Sequence, residues 1–313
     1  MLDLSVIIVT RNTCSLTCAA IQSVLDCRDE LSKEILLVDN GSTDGTLAAV
    51  AGEFPSVICL RSENNLGFSR ANNRAASKTQ GRFLLLLNSD AEVKPDSLGA
   101  AVAWMRAHPD CGVAGAQLLN PDGSLQNSIA NFPTLATELL NKSLLRRLFP
   151  RSYPGKERRF TEPVEVETIV GAFMLIRREV WDALGGLDER YFFFLEETDF
   201  CFHARRRGWH VMHLPQIRVC HGQGRSAKQV RPEARIEYWR SRYLYFAKNH
   251  GLGARLILVF GLAVRLLADW LSSGLMTLLT FGENETWRER LRVHTALLRW
   301  HLFGRPQHLG LPR

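Results

Sequence analysis

The sequence predicts an α/β fold, a doubly wound sheet with helices on both faces, and three observations carry that prediction. Short apolar runs alternate with helical-period segments from Leu4 to Ala107, the pattern of strands joined by crossover helices. Phe83–Leu87 is five apolar residues without a polar break, which suits a strand buried on both faces in the middle of such a sheet. Polarity then switches abruptly at Asn88-Ser89-Asp90. In open α/β sheets ligands sit at the carboxyl ends of the strands, so the switch sets a carboxylate where chemistry is expected. The same three residue types also favour turns and helix caps.

The elements follow in order. Leu4–Val9 reads as a first buried strand ending in Thr10-Arg11-Asn12, and Ser15–Cys27 as a helix with Leu16, Ala19, Ala20 and Val24 near helical spacing. Glu34–Val38 is a second strand, running into Asp39-Asn40-Gly41-Ser42-Thr43-Asp44-Gly45. Thr46–Phe54 is helical, Ser56–Leu60 a third strand, Asn64–Gly67 a turn and Phe68–Thr79 a helix. After the central strand come a helix over Asp96–Ala107 and a strand over Val113–Leu119. Gln126–Thr161 is a long excursion, partly helical, with Pro133, Pro150, Pro154 and the basic cluster Arg146, Arg147 and Arg151. Excursions of that length are commonly lids or acceptor-binding elements.

Val164–Ile176 resumes the apolar pattern around Gly171-Ala172-Phe173, and Arg177–Leu184 is a short helix stopped by Gly185-Gly186. An aromatic run, Tyr191–Phe194, precedes Glu196-Glu197-Thr198-Asp199 and a helix through Arg207. Val211–Leu214 and Ile217–Cys220 are strands leading to His221. Pro232–Asn249 is a helix with proline in its first turn and Gly251 past its end. Leu252–Phe281 is strongly apolar but carries Arg255, Arg265 and Asp269, and its longest uncharged run, Trp270–Gly282, is 13 residues. A membrane span needs roughly 17–25 apolar residues, so the expectation is a helix pair lying on a bilayer or packed on the core.

Length and charge divide the chain. Its 313 residues allow one large domain or one domain plus an appendage, here a domain over 1–225 and a C-terminal helical region over 226–313. The net charge of +7 is uneven, +9 from Arg225 onward and −2 before it. A basic, apolar tail suits an anionic membrane surface, and no nucleic-acid partner is expected. Seven scattered cysteines without a CxxC pair exclude a structural zinc site and fit free thiols in a reducing compartment. With no basic, apolar leader at the N-terminus, the expected location is the cytoplasm, at the inner face of the cell membrane.

Several enzyme classes are missing their signatures. The first strand runs into Thr10-Arg11-Asn12-Thr13-Cys14, not GxGxxG, and neither a Walker loop nor a GxSxG elbow occurs. What does occur is an ordered series: SVIIVTRN, LLVDNGSTDGT, NNLGFSRANN, LLLLNSDAEV, GAFMLIRREVWDALGGLDERYFFFLEETDFCFHARRRGW and CHGQGRS. From about Leu4 to Ser226 the chain resembles the family 2 glycosyltransferases of GT-A fold, above all their rhamnosyltransferase-like branch. Each motif is weak alone, and together, in order, they are specific.

The resemblance implies an inverting transfer from a nucleoside-diphosphate sugar to a glycan or lipid-linked acceptor in surface polysaccharide synthesis, with rhamnose the first expectation for the sugar. It implies roles residue by residue. Thr10, Arg11 and Asp39 would meet the nucleobase or ribose, Gly67 and Arg70 would flank the nucleotide, and Arg70 would pair with the diphosphate or else sit in a surface ion pair. Asn88-Ser89-Asp90 stands at the family's DXD position, where Asp90 would bind Mn²⁺ or Mg²⁺, with His221 completing the metal site. Gly171 and Ala172, with Glu196, would lie near acceptor or sugar. The catalytic base falls on Glu197, where the family usually has Asp, which leaves Glu196 and Asp199 as rivals. Asp199 has a structural alternative, pairing with Arg205 or Arg206 along its helix.

Two other classes are weighed against this. A sugar-phosphate nucleotidyltransferase would carry a glycine-rich basic loop after the first strand, and none is present. A non-catalytic sugar-nucleotide or glycan-binding module would have no use for Asp90, Glu197 and His221 together.

Overall fold

The computed structural model describes residues 2–149, 159–222 and 231–313. Arg151, Pro150, Pro154, the Gln223–Ser226 part of the last motif and the boundary expected at 225/226 lie outside the described residues.

Strands β1 (Leu2–Thr10), β2 (Lys33–Asn40), β3 (Ile58–Ser62) and β4 (Gly81–Asn88) alternate with helices α1 (Cys14–Leu25), α2 (Thr46–Glu53) and α3 (Gly67–Ala76). The main sheet runs β3-β2-β1-β4-β10-β6-β11-β5, with β8 added beside β11. Its first four strands are parallel. The rest is mixed: β10 (Phe173–Arg177) lies antiparallel between β4 and β6 (Cys111–Leu119), and β11 (His210–His221) is parallel to β6 but antiparallel to β5 (Ala91–Val93). The apolar pattern over Val164–Ile176, read as one stretch, is three strands: β8 (Val164–Glu165), β9 (Thr168–Ile169) and β10, with β9 pairing β7 (Ile129–Ala130) in a small second sheet. The two strands expected before His221 are one, with its register shifted between Leu214 and Arg218.

The uninterrupted apolar runs have a direct cause. Side chains alternate across a strand, and both faces are covered. Phe83, Leu85 and Leu87 enter one core with Leu4, Val6 and Ile8, beneath α1 and α4 (Ser97–Ala107). Leu84, Leu86 and Ile7 enter the other, beneath α3, α7 (Arg178–Leu184) and α8 (Glu196–Arg206). A polar residue at any of these positions would be buried without a partner.

The long excursion holds α5 (Leu135–Leu139), opened by a Thr134–Thr137 capping box, and α6 (Lys142–Leu148), capped by Asn141. Three helices close the chain: α9 (Arg231–Asn249), α10 (Gly251–Leu279) and α11 (Glu285–Leu302). They share a third core in which Trp239, Tyr243, Phe246, Leu262 and Trp300 pack with Tyr191 from the segment before α8. The helix pair expected over Leu252–Phe281 is instead one continuous helix of 29 residues, long and apolar enough to cross a membrane by length and composition. Its charged residues do not break it, because on a helix they fall among flanking leucines and Arg265 pairs with Asp269 one turn on.

Candidate active site

Strand register builds the first part of the site. Thr10 is the partner of Asp39, and Asn88 of Val9, so the three lie in a row along the carboxyl edge of β2, β1 and β4. Between β1 and β4 the strand order turns from one side of the sheet to the other, the crevice where open α/β sheets bind ligands. The loops around it are stitched together. The Thr43 backbone N–H donates to Asn12 Oδ1 (2.7 Å), that of Cys14 to Asp44 Oδ2 (3.0 Å), and that of Ser42 to Asp39 Oδ1 (3.0 Å). The Thr10 hydroxyl points inward, 2.7 Å from that of Thr17. Arg11 is half-buried, and its Nε finds no hydrogen-bond partner among the described residues.

The second part comes from a long-range strand pair. β5 and β11 run antiparallel with His221 opposite Ala91, which brings His221 to Asp90 across 131 residues of chain. His221 Nε2 lies 3.3 Å from Asp90 Oδ1 and 3.4 Å from Asn88 Nδ2. The Gly222 N–H donates to the Asp90 carbonyl at 2.8 Å. On the far side of the ring, His221 Nδ1 is 2.7 Å from Gln126 Oε1. The Ser89 hydroxyl reaches Thr13 at 3.2 Å, tying the turn back to the start of α1.

A carboxylate oxygen and an imidazole nitrogen this close fit a shared divalent cation. No cluster of three His, Cys, Asp or Glu side chains is placed to hold a metal among the described residues. Asp90 and His221 would supply two ligands to such a cation, and cations that accompany nucleotides commonly take their remaining ligands from phosphate and water.

The acidic run is sorted by burial. Gly171-Ala172 lies between the two halves of the site: the Asn88 N–H donates to the Ala172 carbonyl (3.1 Å), and a Cβ on Gly171 would stand 3.7 Å from the Glu197 methylenes. Glu197 is partly exposed. Glu196 is buried with Oε2 unpartnered, and burial, followed by the charge of Glu197, pushes its carboxyl well above the usual carboxylate range. Asp199 is also buried. It accepts from Lys248 Nζ (2.6 Å), Asn249 Nδ2 (2.9 Å) and the Tyr191 hydroxyl (3.2 Å), so it clamps α8 to α9. The pairing with Arg205 or Arg206 is not formed: Arg205 bonds Glu165 and the Val166 carbonyl instead. Before α8, Phe194 and Leu195 hold left-handed backbone at φ +73° and +68°. Such strain clusters at functional sites, and here it stands directly before the first turn of α8, which carries the acidic run.

Two other expected residues sit at the rim. Gly67 has φ +78°, and a Cβ there would fall 2.4 Å from the Phe192 carbonyl. Only glycine lets the 64–67 turn meet the aromatic run, whose Phe192 carbonyl accepts from the Phe68 N–H at 2.8 Å. Arg70 is exposed and faces Glu189 at 3.6 Å. Gln126, Thr13 and Asn12 were missed in the sequence. Their contacts to His221, Ser89 and Thr43 cross 95, 76 and 31 residues, and no local pattern marks them.

A rhamnosyltransferase of Mycobacterium tuberculosis, named N-acetylglucosaminyl-diphospho-decaprenol L-rhamnosyltransferase, is 28% identical over 241 residues, covering 72% of this chain and 78% of its own. The rhamnosyltransferase WbbL of Escherichia coli K12 is 23% identical over 197 residues, 60% of this chain and 73% of its own. The solved mannosyltransferase PcManGT of Pyrobaculum calidifontis, in complex with GDP-Man and Mn²⁺, superposes with a TM-score of 0.53 at 17% identity, covering 96% of this chain and 88% of its own. The fold is thus of GT-A type. The family described as glycosyl transferase family 2 matches residues 5–185, a span that contains Asp39 and Asp90 and ends before Glu197 and His221. Matched over more than half its length, and with the mixed sheet and carboxyl-edge crevice of that fold, the chain belongs to glycosyl transferase family 2 and is a glycosyltransferase.

Proposed function

We propose that the chain transfers a sugar, with inversion, from a nucleoside-diphosphate sugar to a hydroxyl of a lipid-linked glycan acceptor, and that the sugar is L-rhamnose. The observation that carries this reading is the pairing of Asp90 with His221 at one side of Gly171-Ala172 and of Glu197 at the other. Asp39, with Thr10 and Arg11, receives the nucleobase and ribose. Arg70 exchanges Glu189 for the diphosphate, an exchange that costs little because an exposed ion pair is worth about 0–1 kcal/mol. Asp90 and His221 would hold Mn²⁺ or Mg²⁺. A bound cation of this kind neutralises charge on the departing diphosphate. Glu197 takes the proton of the acceptor hydroxyl as that oxygen attacks the anomeric carbon and the nucleoside diphosphate leaves. Glu196 is buried, and burial disfavours the charged form a base needs, so the role is assigned to the less buried Glu197. The name of the Mycobacterium tuberculosis relative supports the sugar and the acceptor class, and the GDP-Man bound to the mannosyltransferase supports the donor class.

The test is a thermal-shift screen of nucleotide sugars with and without Mn²⁺, since a ligand at 100 times its Kd stabilises by about 2.7 kcal/mol. A Mn²⁺-dependent shift with dTDP-rhamnose alone is expected. A shift with another sugar nucleotide overturns the rhamnose assignment, and no shift with any overturns the donor class.

In the same reading, residues 1–225 do the chemistry and 226–313 hold the enzyme on the inner face of the cell membrane. α10 buries Leu258, Leu262 and Leu266 against its neighbours and exposes Leu252, Leu256, Phe260, Leu267, Leu271 and Leu278. That exposed stripe repeats every three to four residues along one helix face, in a region of net charge +9. Arg265 stands at the middle of α10, where a crossing helix would place it at the bilayer centre at a cost of about 2.5–3.5 kcal/mol or more. We therefore set the helix in the plane of the membrane. The protein is expected to float with vesicles rich in acidic lipid, to be released by salt or carbonate, and to lose binding on the double substitution Phe260→Gln, Leu271→Gln. Retention in carbonate would make α10 a span.

A further inference from the structure

His221 can face Asp90 in two ways. With its proton on Nε2 it donates to the carboxylate and the pair is closed by a hydrogen bond. With its proton on Nδ1, the Nε2 lone pair looks at Asp90, and the two are acceptors that a cation can join. Which form is present is set by the bond made by the other ring nitrogen.

We propose that Gln126 is the positioning residue that holds His221 in the second form, an inference that rests on Asp90 and His221 being the metal ligands. Three observations carry it. Gln126 Oε1 is 2.7 Å from His221 Nδ1, and an amide oxygen only accepts, so Nδ1 carries the proton. The amide is fixed against a flip, because its Nε2 donates to the His221 carbonyl (3.2 Å) and to Asn120 Oδ1 (3.0 Å), and neither oxygen could receive the other end of the amide. At the opposite ring nitrogen, the Asn88 amide Nδ2 lies 3.4 Å from Nε2, a donor facing an acceptor.

The support is rigid and buried. Gln126 is 7% exposed. Its backbone N–H donates to the Leu118 carbonyl at 2.8 Å, and its own carbonyl accepts from Gln117 Nε2 at 2.8 Å. The excursion after β6 therefore begins by locking one side chain behind the histidine. Outer partners of a ligating histidine commonly contribute 10–100-fold to metal affinity, by holding tautomer and ring direction together.

The experiment uses the full chain with ¹⁵N-labelled histidine at pH 8. Long-range ¹H–¹⁵N spectra report the tautomer of His221, whose signals are identified by their loss in His221→Gln. Manganese binding is read separately from the EPR signal of free Mn²⁺, with Mn²⁺ alone and with Mn²⁺ plus dTDP. The expected result is an Nδ1-protonated ring in the metal-free wild type, a shift toward the Nε2-protonated form in Gln126→Met, and Mn²⁺ affinity lowered about 10–100-fold in that variant. A merely structural role for Gln126 would leave the tautomer unmoved. An Nε2-protonated or doubly protonated ring in the wild type overturns the proposal whether or not the variant folds, as does unchanged Mn²⁺ affinity in a folded Gln126→Met. Wild-type Mn²⁺ affinity in His221→Gln would instead overturn the metal site, and the role of Gln126 with it.

Discussion

Glu197→Gln is expected to lower turnover by about 10²–10⁴-fold, the usual worth of a positioned base, while donor affinity stays unchanged. Glutamine keeps the size and the hydrogen-bonding capacity of the side chain but cannot accept a proton. The three acids of the run are expected to separate by kind of effect. Asp199→Asn removes one of the two charges that face Lys248 in a clamp between α8 and α9, so its main consequence is lost stability, below the roughly 3–5 kcal/mol of a buried charge left unpaired, because Lys248 keeps Asp188 at 2.8 Å. Glu196→Gln replaces a buried carboxyl whose charged form burial disfavours, and turnover should change little. The check is turnover at saturating donor and acceptor alongside thermal melting of the three variants. Glu197→Gln at wild-type rate, with Glu196→Gln inactive and still able to bind donor, would move the base one residue toward the N-terminus.

Asp90→Asn is expected to abolish the metal dependence of nucleotide binding while the fold persists. In the proposed site Asp90 and His221 would hold the cation and the diphosphate would supply further ligands, so cation and nucleotide should each tighten the binding of the other by the same factor. Losing a direct ligand should cost at least as much as losing an outer partner, about 10–100-fold in metal affinity. Asparagine keeps the backbone carbonyl that accepts from Gly222, so β5 and β11 should stay paired. The measurement is calorimetric titration of nucleoside diphosphate at fixed Mn²⁺ and without it. Identical Mn²⁺-dependent affinities in wild type and variant would remove Asp90 from the metal site.

The order of the strands and helices was legible because burial imposes it locally. A strand sandwiched between two cores must be apolar at every position, and Phe83–Leu87 is. The residues at strand ends were legible for the same reason, since a buried run must stop before a polar group can reach the crevice. The C-terminal region was read less well. Three charged residues in Leu252–Phe281 suggested an interruption, whereas a helix lets Arg255, Arg265 and Asp269 sit at its surface without breaking it. The acidic run could not be ordered from sequence. Glu196, Glu197 and Asp199 all suit a helix N-terminus, and only the tertiary structure separates a buried carboxyl, a partly exposed one and a structural clamp.

By itself, then, the sequence determined what depends on near neighbours: an alternating α/β chain, a carboxylate at the end of a doubly buried strand, a basic apolar tail, and motifs specific enough to point to a family. The tertiary structure alone decided what depends on distant ones. The sheet became mixed because β10 returns antiparallel between β4 and β6, a pairing set by packing and not by composition. His221 reached Asp90 only through the β5–β11 ladder, and Gln126 reached His221 only from the excursion after β6. The side chains of each contact carry no mark of their partner, because a hydrogen bond formed across a hundred residues constrains position in space and leaves the local pattern of the chain untouched.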